Sequence, residues 1–172
     1  MITTHQQRGK DMPEMTWLGW FHTIMGIAAL LLAIAAISRH GVIKASSQTG
    51  AWYLIVTVIV AGSALGIYNQ GGFGVAHILG LLALGAVLAG FLLERFNLFG
   101  RASPYFQAIA YSATILFHMI PAITDFLRRL PVGDPFIDSF DSPVLQSFHL
   151  AFLMLYVLGV GFQIVKLRKS PA

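Results

Sequence analysis

Four histidines, His22, His77, His118 and His149, lie inside long apolar stretches of a chain that has no cysteine at all. An imidazole can ligate a metal, carry a proton or hold a hydrogen bond. Any such group is expensive in hydrocarbon, so its presence there marks function. Without cysteine, disulfides, iron–sulfur clusters and thiolate metal sites are excluded. Around His118 the spacing is informative. Tyr111, His118 and Asp125 recur every seventh residue and share one helical stripe. Pro121 lies on the same side and would free a backbone carbonyl one turn earlier. Asp125 is placed to orient an imidazole, as carboxylates do for ligating histidines. Gln146, three residues before His149, shares a helix face with it.

Three chemistries fit these residues. The first is a haem b centre. Two imidazoles from facing helices would ligate the iron, small residues Gly80, Gly85 and Gly90 would make room for a porphyrin, and the remaining histidines and Asp125 would bind quinone or carry protons. The second is a zinc, copper or iron ion held by three or four imidazoles, for transport, delivery or metal-assisted chemistry. The third has no cofactor: the histidines tie helices together in a structural or assembly subunit, each worth roughly 1 kcal/mol or less. No His-Glu-x-x-His run, no histidine pair four apart and no glycine-rich phosphate loop is present, and Ser112 and Ser147 lack base and acid partners.

The elements that must position these residues are membrane helices. Hydrophobic residues make up 56% of the 172 and charged ones 10%, against about 25% charged in a soluble domain. Lipid is the solvent that suits such a chain. A helix needs about 20 apolar residues to cross a bilayer, and five segments qualify: 17–38, 51–68, 74–93, 104–126 and 143–165. They predict one all-α membrane domain over 1–172, an integral membrane bundle of five transmembrane helices. Continuous apolar runs, rather than alternation, argue against a β-barrel. Arg39-His40-Gly41 closes the first segment, and Asn69-Gln70-Gly71-Gly72 makes a tight turn after the second. Ser103-Pro104 opens the fourth with an early proline, and Asp141-Ser142-Pro143 opens the fifth in the same way, with a capping side chain just ahead. Gly62 and Gly66 form a tight-packing pair, and Trp17, Trp20, Trp52, Tyr53 and Tyr105 sit near segment ends as interface anchors. The polar start of the chain lacks a cleavage site, so the first segment is expected to be a retained helix.

The formal net charge of +4 is spread between the apolar segments and speaks for topology, not nucleic acid. Arg8, Lys10, Arg128 and Arg129 fall on one side; Arg39, Lys44, Arg95, Arg101, Lys166, Arg168 and Lys169 fall on the other. The positive-inside rule puts the second group, with the C-terminus, in the cytoplasm and the N-terminus outside. The four histidines then lie within roughly 5–12 Å of the outer boundary, at ~1.5 Å rise per residue. Asn69 and Gln70 end the second segment at that level, whereas His5 and His40 read as surface residues. The connection 127–142, with Arg128, Arg129, Asp134, Phe136, Ile137, Asp138, Phe140 and Asp141, is a solvated loop or an amphipathic lid over the histidine layer.

The stretch 41–90 resembles a family of predicted bacterial inner-membrane proteins of unknown function. That family has a glycine-bearing turn, a tight-packing second helix and a Gly-x-Phe-x-x-x-His-x-Leu run. Here the run reads Gly72-Phe73-Gly74-Val75-Ala76-His77-Ile78-Leu79, and among the four histidines it covers His77. Ser46-Ser47-Gln48 stands where the family carries a His-Arg pair. The resemblance implies location and architecture, not a reaction. Together these features lead to a bacterial inner-membrane protein using His22, His77, His118 and His149 to hold haem b or a metal ion. Asp125, Tyr111 and Gln146 would stand behind them, with the lipid bilayer, a quinone or another membrane subunit as partners.

Overall fold

The computed structural model describes residues 15–68 and 72–169. Their order is α1 (Trp17–His40), α2 (Gln48–Ala64), α3 (Val75–Phe96), a short 3₁₀ turn (Gly100–Ala102), α4 (Ser103–Arg129) and α5 (Pro143–Lys169). No strand occurs among the described residues. The expected turn at 69–71, His5 and the charges Arg8, Lys10, Asp11 and Glu14 lie outside them.

Local chemistry sets the helix ends. The Thr16 side chain accepts from the Gly19 amide at 3.1 Å, and Ser47 does the same for Gly50 at 3.2 Å, so both are N-caps. Gly41, at φ 78°, closes α1 with its amide on the Ile37 carbonyl. Pro104 enters at the first turn of α4, and Ser103 accepts from the Phe99 amide just before it.

Four helices, α1, α3, α4 and α5, are long and apolar enough to cross a membrane, which is the make-up of a multi-pass membrane protein. α2 is apolar but has 17 residues, about 26 Å at 1.5 Å per residue, short of a ~30 Å core. The second segment differs from its expected bounds for a physical reason. After Ala64 the bonding tightens: Leu65, Gly66 and Ile67 each donate to the residue three back. The chain continues as 3₁₀ turns with a larger rise per residue.

Successive helices pack on one another, and α4 also touches α1. Helices α1 to α4 thus enclose a common interior, with α5 laid against α4. Ala29, Ala33 and Ala36, fully buried on one stripe of α1, join Tyr53, Leu54, Val56 and Val60 of α2 and Tyr111 of α4 in the core. Small side chains let helices approach closely without any hydrophobic drive between them. Half of the expected Gly62–Gly66 seam does this: a side chain on Gly66 would come within 3.0 Å of Leu18 of α1, whereas one on Gly62 would meet nothing within 4 Å. One on Gly80 would press on the Ala61 carbonyl and one on Gly90 on the Tyr111 ring. Tyr53, expected at the interface, is fully buried; Trp17, Trp20 and Trp52 are exposed as anchors should be.

The connection after α4 folds back on its own neighbours. Ile137 is buried with Leu127 and Leu145, its amide donating to the Leu127 carbonyl at 3.2 Å. Arg128 stacks on Phe140 at 3.9 Å. The segment caps the adjoining ends of α4 and α5.

Candidate functional site: a buried histidine–hydroxyl column

α4 presents a polar stripe to the interior: Gln107, Tyr111, Thr114 and His118, spaced four, three and four apart, all buried. α2 presents Tyr53 and Thr57, both fully buried. The two stripes meet across the bundle. Tyr53 Oη and Thr114 Oγ1 share a short hydrogen bond of 2.5 Å, and His118 Nε2 meets Thr57 Oγ1 at 3.2 Å. Thr114 also donates to the Tyr111 carbonyl at 2.6 Å. One turn beyond Thr57, His22 of α1 places Nδ1 at 3.1 Å from the Val60 carbonyl and 3.0 Å from Ser63 Oγ. A carbonyl only accepts, so Nδ1 of His22 carries the hydrogen and Nε2 keeps its lone pair. His22 and His118 lie within electrostatic reach of one another.

At the far end of the column stands Glu94. Its Oε2 accepts from the Ala45 amide at 2.7 Å and from Gln107 Nε2 at 3.0 Å, and its Oε1 accepts from the Ser46 amide at 2.9 Å. Gln107 Nε2 also donates to the Ile43 carbonyl at 3.2 Å. Glu94 thereby clamps the α1–α2 loop to α3 and α4. The Tyr111 ring fills the notch over Gly90. Its hydroxyl lies beside the Glu94 carboxylate yet makes no hydrogen bond of good geometry.

The four histidines therefore divide. His22 and His118 approach adjacent turns of α2. His149 belongs to a separate contact: its Nε2 meets Thr124 Oγ1 at 3.2 Å and ties α5 to α4. His77 is a capping residue. Its Nδ1 accepts from the Gly74 amide at 3.1 Å, so in the neutral ring the hydrogen sits on Nε2. Tyr68 and Phe73 flank that ring at 4.7 and 4.9 Å between centroids. Among the described residues no three of His, Asp and Glu gather closely enough to hold a metal ion.

The expected supporting residues have other partners. Asp125 is exposed and pairs with Arg129 at 3.3 Å, one helical turn away. No hydrogen bond from it orients an imidazole; the hydroxyls of Thr57, Ser63 and Thr124 take that part. Gln146 donates to the Asp141 carbonyl at 3.4 Å at the exposed start of α5, away from His149. Tyr111 is in the column, but two turns below His118. Gly80, Gly85 and Gly90 do not form one groove: five-residue spacing turns each about 140° from the last. Gly80 faces α2, Gly90 faces Tyr111, and Gly85 has nothing within 4 Å. Sequence reasoning missed Tyr53, Thr57, Ser63, Thr114, Gln107 and the clamp at Glu94. The signal that could have found them is the four–three alternation of polar residues on two segments.

The chain matches no family model, no curated protein and no solved structure.

Proposed function

We propose that this is a five-span membrane protein whose working centre is the imidazole pair His22 and His118, and that the pair holds haem b in a quinone-linked electron-transfer role. The observation that carries this reading is the fixed tautomer of His22. A backbone carbonyl bound at Nδ1 leaves Nε2 free as a ligand, the arrangement that orients metal-binding histidines. His118, on α4, meets the neighbouring turn of α2, with Nδ1 opposite the nitrogen that Thr57 engages. An iron already held by a porphyrin needs two protein ligands, whereas a bare zinc, copper or iron ion wants three or four. A two-histidine centre therefore favours haem. Bound there, haem would supply one-electron chemistry; the protein's own part is to hold two imidazoles away from water.

In this reading the 3₁₀ turns after Ala64 complete a second crossing. The end bearing Arg39, Lys44, Arg95, Arg101, Lys166 and Arg168 faces the cytoplasm of a bacterial inner membrane, and the histidine pair lies in the outer half. The run 72–79 supports placing the chain among the inner-membrane proteins it resembles, and the bilayer is its first partner.

The test is the absorption spectrum of the detergent-purified protein from haem-replete cells. A Soret band that shifts on reduction is expected, lost in His22→Ala and His118→Ala and kept in His149→Ala and His77→Ala. No band, and no stoichiometric iron, copper or zinc, would overturn it. A cofactor-free structural subunit would then stand, a reading favoured by one observation: His118 and His149 each meet a threonine of a neighbouring helix.

A further inference from the structure

We propose that the end of the bundle where α1, α3 and α5 finish binds the headgroup of an anionic phospholipid, with the α3–α4 hairpin from Arg95 to Arg101 as the docking element. The proposal needs only a chain that spans a membrane, and it stands whatever the histidine pair holds.

Three features of the fold bring basic residues together. Glu94, near the end of α3, bonds to the amides of Ala45 and Ser46, so the α1–α2 connection lies beside the end of α3. Lys166 of α5 lies against Gly41, so α5 finishes where α1 does. The 3₁₀ turn Gly100–Ala102 leads directly from the end of α3 into α4. Arg39 and Lys44, Arg95 and Arg101, and Lys166 and Arg168 therefore share one end of the molecule. The acid at that end is already occupied: the amides of Ala45 and Ser46 and the side chain of Gln107 take the oxygens of Glu94. Arg39, Lys44, Arg95 and Arg101 are exposed and have no acidic partner among the described residues. Like charges held together repel, and negative charge from outside the chain relieves that. The opposite end is built differently: Asp125 pairs with Arg129, and Asp134, Asp138 and Asp141 follow in the connection to α5.

The residues between Arg95 and Arg101 tell what supplies the negative charge. Phe96, Leu98 and Phe99 are 60%, 59% and 61% exposed. Their turn is fixed by its own backbone. Asn97 and Gly100 take left-handed conformations at φ 49° and 54°, the Gly100 amide donates to the Asn97 carbonyl at 2.8 Å, and the Phe99 amide donates to Ser103 Oγ at 2.9 Å. Large apolar side chains are thus held outward between two guanidinium groups. A soluble polyanion would satisfy the charges and leave the rings in water. A phospholipid satisfies both: its acyl chains cover Phe96, Leu98 and Phe99, and its phosphate oxygens accept from the guanidinium N–H groups. A zwitterionic headgroup would bring its own ammonium into a basic cluster, whereas an anionic one adds no positive charge. Each basic residue near a membrane surface is worth about fivefold in affinity for anionic lipid.

The test titrates the full-length protein in detergent with phosphatidylglycerol, or with phosphatidylcholine of the same acyl chains. Native mass spectrometry counts the bound lipid, and the melting temperature is followed alongside. The wild type is expected to retain phosphatidylglycerol in preference, and less of it as salt is raised. Arg95→Gln combined with Arg101→Gln should weaken phosphatidylglycerol binding by about 25-fold, fivefold for each cation. Its lipid-free melting temperature should match the wild type, because both side chains are exposed. Arg95→Lys combined with Arg101→Lys keeps the charge and should keep most of the preference. Arg128→Gln, at the other end, should bind lipid like the wild type. Equal retention of the two lipids by the wild type overturns the proposal, as does an unchanged preference in the glutamine pair or an equal loss in Arg128→Gln. A melting shift produced as fully by inorganic phosphate as by phosphatidylglycerol would mean a free-anion site and overturn the lipid assignment. None of these readouts involves a Soret band, so the lipid and haem readings fail separately.

Discussion

α4 and α5 have the same length, 27 residues each, and opposite designs. α4 buries eight residues, six of which carry a polar side-chain group: Ser103, Gln107, Tyr111, Ser112, Thr114 and His118. α5 buries three, Leu145, Val160 and Gln163, and turns large apolar side chains such as Leu155, Leu158 and Phe162 outward. The difference follows from position. α4 touches α1, α3 and α5, so the polar side chains on its buried stripe lie against protein. α5 packs chiefly on α4, and three of its polar side chains turn to it: His149 to Thr124, Tyr156 to the Ile109 carbonyl and Gln163 to Ser112, while Gln146 and Ser147 stay at its exposed start. In a bilayer, polarity can be kept only where protein surrounds it.

That contrast can be broken most forcefully at glycines. A side chain on Gly90 would run into the Tyr111 ring, whereas one on Gly159 of α5 meets nothing within 4 Å. Gly90→Ala should therefore cost about 1–3 kcal/mol by overpacking a buried ring. Gly159→Ala should be neutral or gain up to about 1 kcal/mol of helix propensity. Unfolding in mixed detergent measures both, and equal effects would mean that α4 is no more tightly enclosed than α5. The next contrast is between hydroxyls. Thr57→Val strips the partner from buried His118 and should cost about 1–3 kcal/mol. Thr124→Val strips it from half-buried His149 and should cost about 0.6 kcal/mol, the usual worth of a polar tie between membrane helices. The smallest effect is expected on the outward face of α5, where Leu155→Ala should stay within about 0.5 kcal/mol. A larger loss would reveal a protein partner on that face in place of lipid.

How much of this could be read from the residues differs from element to element. Helix positions follow from apolar length and caps, so Ser103-Pro104 and Pro143 mark their helix starts to within a residue. α2 departs because 3₁₀ turns and an α-helix look alike in hydropathy. The shared depth of the histidines is a matter of counting along helices, but their partners are not. A lone threonine in an apolar run is unremarkable until the facing helix is known, and facing is a tertiary property. Asp125 is instructive: its stripe points to His118, yet Arg129 sits one turn away on the same helix, and a local ion pair is favoured over a distant imidazole.

The Glu94 clamp bears on how the chain is built. The α1–α2 hairpin leaves the ribosome long before residue 94, so the amides of Ala45 and Ser46 must first be satisfied by water. Only when α3 is threaded through does a carboxylate arrive to take them, and only with α4 does Gln107 fix that carboxylate in place. Insertion of each later helix thereby fastens an earlier turn, and a nascent protein truncated before position 94 would keep its first hairpin loosely held.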